Sequence, residues 1–170
     1  MANAAQDAAQ PHGGGLRLTV NGTPVSLCLP GEVPLVHALR DGLGLFGTRF
    51  GCGAEQCGAC MVLVDGQPSY ACTRDLASVA GRAVVTVEGL GTQTASAALQ
   101  RAFLTEQAGQ CGFCLSGILV SAAALLARDP DPDERMIREA LEPHLCRCGV
   151  QNRVIRAVRR AAQDLAGAPS

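Results

Sequence analysis

Apolar and polar residues alternate over Leu16–Val20, and the alternation returns over Val25–Leu29 after Asn21-Gly22. A period of two marks strands, and Asn-Gly between two such runs is a tight hairpin turn. Over Pro34–Gly42 the spacing of Leu35, Val36 and Leu39 becomes helical and stops at a glycine. Gly44–Phe50 leads into a glycine-rich loop. Met61–Val64, Asp65-Gly66 and Ser69–Cys72 then predict a second hairpin, and Val84–Val87 a last strand. Two hairpins and one helix suit a small mixed sheet with the helix on one face, an α+β layer.

Glu88-Gly89-Leu90-Gly91 ends this pattern, and from Thr92 the apolar residues recur at helical spacing. Four helices are predicted, over 95–107, 115–128, 133–142 and 152–166. Asp129-Pro130-Asp131-Pro132 separates the second from the third. Ile118, Ala122, Leu125 and Leu126 form an apolar face suited to a short helical bundle. The chain thus divides into residues 16–90 and 91–170. Residues 1–15, which end in three glycines, read as a disordered extension.

Composition narrows the function. Of 170 residues, 48% are hydrophobic, enough for a core, and the net charge is −1. That balance does not suggest nucleic acid or a membrane surface as partner. Arg153, Arg156, Arg159 and Arg160 read as a solvated or partner-facing helix face. The first residues carry no basic and apolar leader, and no stretch is long enough to span a bilayer, so a cytoplasmic location is expected. In that reducing setting, nine cysteines are better read as metal ligands than as disulfides.

Eight of the nine fall into two groups. Cys52, Cys57, Cys60 and Cys72 have the spacing C-x4-C-x2-C-x11-C, that of a plant-type [2Fe-2S] site. Gly51, Gly53 and Gly58 beside them supply the tight turns that aim N–H groups at sulfur. Cys111, Cys114, Cys146 and Cys148 lie in two loops that precede the second and fourth predicted helices. If those helices pack as hairpins the loops meet, with helix N-termini favouring a negative cluster. Spacing alone leaves zinc open for this second group. Cys28 is expected to be a buried small hydrophobe on a strand. His12, His37 and His144 are isolated and read as non-ligands. No catalytic constellation stands out.

With GCGAEQCGAC, the MVLVDG that follows it, QCGFC at 110–114 and LCRCG at 145–149, the chain resembles the iron–sulfur subunit of the molybdenum hydroxylases, the xanthine dehydrogenase/aldehyde oxidoreductase family. The resemblance covers residues 16–160. It implies a β-grasp plant-type [2Fe-2S] ferredoxin domain followed by an all-α four-helix-bundle [2Fe-2S] domain. It also implies that the first cysteine group holds one cluster and the second group another, nearer molybdenum. Gln110 and Cys148 would approach the pterin of a molybdopterin, in the cytosine dinucleotide form, held by a large partner subunit. Electrons would leave singly through both clusters to an FAD-binding or cytochrome c-type subunit. Leu115-Ser116-Gly117 and Gly149-Val150 depart from the xanthine type. The CRCG form is similar to bacterial enzymes acting on N-heteroaromatics such as isoquinoline and nicotinate, or on aldehydes. A free ferredoxin-like carrier and a cluster-based sensor are the readings from other classes.

Overall fold

The computed structural model describes residues 15–92 and 94–167; the extension expected before Gly15 lies outside them. β1 (Leu16–Val20) and β2 (Thr23–Leu27) pair antiparallel. Asn21 and Gly22 take the positive φ angles, 51° and 79°, that a two-residue hairpin turn demands. The turn fixes Val20 opposite Thr23, so β2 begins two residues before its apolar pattern does. Cys28 therefore falls beyond the strand and is exposed. This corrects the expectation of a buried strand residue.

α1 (Leu35–His37) runs on into a π-helical turn, Ala38–Gly42, and buries Leu35, Val36, Ala38 and Leu39 completely. β3 (Met61–Val64) and β4 (Gln67–Tyr70) form the second hairpin. Its Asp65-Gly66 turn places Gln67 opposite Val64, which leaves Cys72 past the end of β4. β5 (Ala83–Val85) completes a five-stranded sheet of order β2-β1-β5-β3-β4. Only β1 and β5 run parallel. Two short 3₁₀ turns, Leu76–Val79 and Val87–Thr92, were not foreseen in the pattern.

The helical half holds α2 (Thr94–Thr105), α3 (Leu115–Arg128), α4 (Glu134–Leu141) and α5 (Gln151–Ala166). Asp133 caps α4 by accepting the Met136 N–H at 2.7 Å. α2 packs along α5 and α3, and α4 contacts both α3 and α5. Among the described residues, no helix is long and apolar enough to cross a membrane.

There are two buried cores, and β3 belongs to both. Val62 and Val64 pack with Leu35, Leu39 and Val84 in the sheet core. Met61 and Leu63, on the opposite face, join Ile118, Leu125 and the rest of the helical core. All four β3 residues are buried, as in a strand covered on both sides. Each buried Val or Leu contributes roughly 1.5–3 kcal/mol, so this strand ties the halves together.

Candidate metal centres

The first centre is built mostly from one loop. At Gly51 a Cβ would come within 2.7 Å of the Cys57 Sγ, so the need for glycine there is close approach. At Gly58 it is also backbone conformation, with φ at +68°. The loop aims its amides at sulfur: Ala54 N–H and Gln56 N–H donate to Cys52 Sγ at 3.4 and 3.3 Å, and Cys52 N–H to Cys57 Sγ at 3.4 Å. The Ala54 and Gln56 amides bring the Cys52 thiol down to about 7. Cys60 and Cys72 lie at the buried end. Burial pushes the Cys60 thiol up to about 12, and the neighbouring Cys72 adds to the rise. The Thr73 hydroxyl donates to the Glu55 carboxylate, tying the loop to the segment that carries Cys72.

The second centre is built from distant loops. Cys111 and Cys148 approach to 3.5 Å between sulfurs. Cys114, at the N-cap of α3, faces Cys146. Burial pushes the Cys114 thiol up to about 12, with Cys146 adding to it. Burial also opposes ionisation of Cys146, but the Val150 N–H at the start of α5, the Cys114 thiol and the Cys148 and Gly149 amides outweigh it and lower the thiol. Here the α5 N-terminus does stabilise a negative sulfur. The Phe113 amide, then the Cys148 thiol, lower Cys111. Gln110 is exposed, and its Nε2 donates to the Cys148 carbonyl at 3.5 Å.

The sulfurs thus gather in twos: Cys52 with Cys57, Cys60 with Cys72, Cys111 with Cys148, and Cys114 with Cys146. Among the described residues, no three His, Cys, Asp or Glu side chains gather closely enough to hold one ion. A tetrahedral zinc needs four ligands about a single point. A binuclear cluster divides four cysteine ligands between two irons, two to each, and the pairing of sulfurs within each group fits that division.

The centres touch through backbone. The Leu145 N–H donates to the Cys57 carbonyl at 3.1 Å, so the residue before Cys146 is bonded to a cysteine of the other group. His144 beside it is buried, with Nε2 at 2.8 Å from the Ser121 Oγ. Burial brings the imidazole down to about 4, against a smaller opposite pull from the Gly58 backbone. Sequence reasoning placed His144 among isolated histidines and did not find Ser121, which lies in an ordinary helical pattern. It also missed the exposed apolar residues around the loops: Phe46, Phe50, Phe113 and Leu145. Phenylalanines at 46, 50 and 113, set beside glycine-rich cysteine loops and outside any apolar period, were the available signal.

Two family models cover most of the chain. The "2Fe-2S iron-sulfur cluster binding domain" matches residues 18–84 and the "[2Fe-2S] binding domain" matches residues 86–159. A nicotinate dehydrogenase subunit from Pseudomonas putida is 46% identical over 148 residues, 87% of this chain and 94% of that one. The alpha subunit of isoquinoline 1-oxidoreductase from Brevundimonas diminuta is 43% identical over 152 residues, covering 89% and 99%. The chain is an iron–sulfur subunit of the molybdenum hydroxylase family. The crystal structure of quinoline 2-oxidoreductase from Pseudomonas putida 86 superposes on this subunit with a TM-score of 0.83 at 36% identity, over 89% of this chain and 94% of that one. The fold of the iron–sulfur subunit is accordingly a β-grasp, plant-type ferredoxin domain followed by a helical [2Fe-2S]-binding domain, and its cofactors are two [2Fe-2S] clusters. It works in electron transfer as one subunit of an oxidoreductase.

Proposed function

We propose that this subunit serves a cytoplasmic molybdenum hydroxylase acting on an N-heteroaromatic compound. In this reading residues 16–90 and 91–170 are its two metal-binding units. Cys52, Cys57, Cys60 and Cys72 hold one cluster, and Cys111, Cys114, Cys146 and Cys148 hold the other. When bound, the clusters supply one-electron redox chemistry between the partner's molybdopterin, in its cytosine dinucleotide form, and an FAD-binding or cytochrome c-type subunit.

The observation that carries the reading is the gathering of eight sulfurs into four facing pairs, with the two groups joined by the Leu145–Cys57 hydrogen bond. The chain's own work is to hold and tune. Amides at Ala54, Gln56 and Val150 stabilise negative sulfur, and N–H···S bonds of this kind set cluster potential. Burial of Cys60 and Cys114 keeps water from one end of each group. Gln110 and Cys148 stand together at an exposed edge, where they would meet the pterin. The apolar rim of Phe46, Phe50, Phe113 and Leu145 suits burial against partner subunits. The names of the nicotinate, isoquinoline and quinoline relatives support an N-heteroaromatic substrate.

Purification of the complex formed by the full chain tests this. The expected result is about four iron and four acid-labile sulfides per chain, two distinct EPR signals on reduction, and a co-purifying molybdenum protein. Turnover of nicotinate, quinoline or isoquinoline with an artificial acceptor is expected. Zinc in place of iron, or a chain that purifies alone, overturns the reading. Turnover of aldehydes only would replace the substrate class.

A further inference from the structure

We propose that Gly58, Gly117, Ser121 and His144 form a positioning lock that fixes the two cysteine groups relative to each other. The inference rests on the two-cluster reading above and adds what holds the clusters in mutual register.

The lock is assembled from three segments. Gly58 follows Cys57 in the first cysteine loop. Gly117 and Ser121, four residues apart on α3, share one face of the helix. His144 lies in the turn after α4, with its N–H bonded to the Leu141 carbonyl at 3.0 Å. A Cβ at Gly58 would stand 2.3 Å from His144 Nδ1 and 2.7 Å from the Pro143 carbonyl oxygen. One at Gly117 would stand 2.0 Å from the Gly58 carbonyl oxygen and 3.2 Å from His144 Cε1. Only two glycines leave room for this stacking of loop, ring and helix.

Each part borders a proposed ligand. Gly58 adjoins Cys57, Gly117 is one turn from Cys114, and His144 precedes Leu145 and Cys146. The ring is tied on one side by Ser121 Oγ, 2.8 Å from Nε2, and on the other Nδ1 is packed against the Gly58 backbone without a hydrogen-bond partner among the described residues. His144 and Ser121 are only 6% and 3% exposed, so the grip is shielded from water. Fixing the ring fixes Leu145, whose N–H reaches the Cys57 carbonyl. A functional constellation keeps its geometry only when such supporting contacts are themselves packed in place. These four residues are positioning residues, and none is assigned to bind metal.

The test uses the intact complex with Ser121→Ala and Gly58→Ala. Three quantities are read: iron content, the spin–spin interaction between the two reduced clusters, and hydrogen exchange at the Leu145 amide. Ser121→Ala is expected to keep all the iron and both EPR signals. It should weaken the spin–spin interaction and speed Leu145 exchange about tenfold, the scale of one lost buried hydrogen bond. Exchange in β1 should not change, which separates a local release from general destabilisation. Gly58→Ala should act in the same direction and further; if it does not assemble, Ser121→Ala alone decides. Unchanged interaction and unchanged Leu145 exchange in Ser121→Ala overturn the lock and leave the two-cluster reading standing. A parent complex without two iron–sulfur signals overturns that reading itself.

Discussion

The two cysteine groups meet the same requirement with opposite kinds of chain. In the first, three sulfurs come from the loop Cys52–Cys60, and the loop's own amides already point at Cys52 and Cys57. In the second, the sulfurs come from loops on either side of α3 and α4, and the charge-stabilising amides belong to Phe113 and to the start of α5. The first centre is largely local; the second exists only once the helices have packed. A local centre can lose its metal without loosening much else, whereas a centre that joins helix ends cannot.

Replacing single ligands would break this comparison most directly. Cys60→Ser and Cys114→Ser should each remove one EPR signal and about half the iron. Beyond that shared loss, Cys114→Ser should lower the melting temperature more, because the ends of α3 and α5 lose their common anchor. Equal melting temperatures in the two variants would show that both centres are equally local.

Smaller effects come from the strand between the cores. Leu63→Ala should cost about 2–5 kcal/mol and raise hydrogen exchange chiefly in α3. Val62→Ala, one residue earlier, should cost roughly 1.5–3 kcal/mol and be felt in α1. Exchange that rises alike in both regions for both variants would mean that the faces of β3 are not distinct.

The smallest effect is electrostatic. Glu106 accepts hydrogen bonds from Arg156 and Arg160, and these hold its carboxyl below the usual range. A depressed carboxylate stabilises above its unfolded value, about 4.3, and loses that contribution as pH falls through its native value. Glu106→Gln should therefore lower the melting temperature slightly at pH 7, and the difference should fade below about pH 4. A difference that grows on acidification would contradict the assignment.

How much could be read from sequence follows the same division. The first cysteine group was legible because its spacing is nearly a local code. All four helices were legible from their apolar period, with ends within about two residues of those observed. β2 and β4 were placed late because hairpin turns, and not apolar content, set the register. Cys28 was misjudged for the same reason. The pairing of Cys114 with Cys146 depends on how the helices pack, which spacing does not encode. The Ser121–His144 contact was invisible, since a helical serine and a loop histidine carry no pattern that links them.

β3 has one more consequence. A strand that is apolar front and back leaves neither neighbour a water-tolerant side of its own. Cutting the polypeptide between β5 and α2 would bare Met61 and Leu63 on one fragment and the facing side of α3 on the other. The fragments would then be prone to stick to themselves or to each other. Grafting the helical portion from a relative would succeed only if the graft also matched the side chains behind that shared wall.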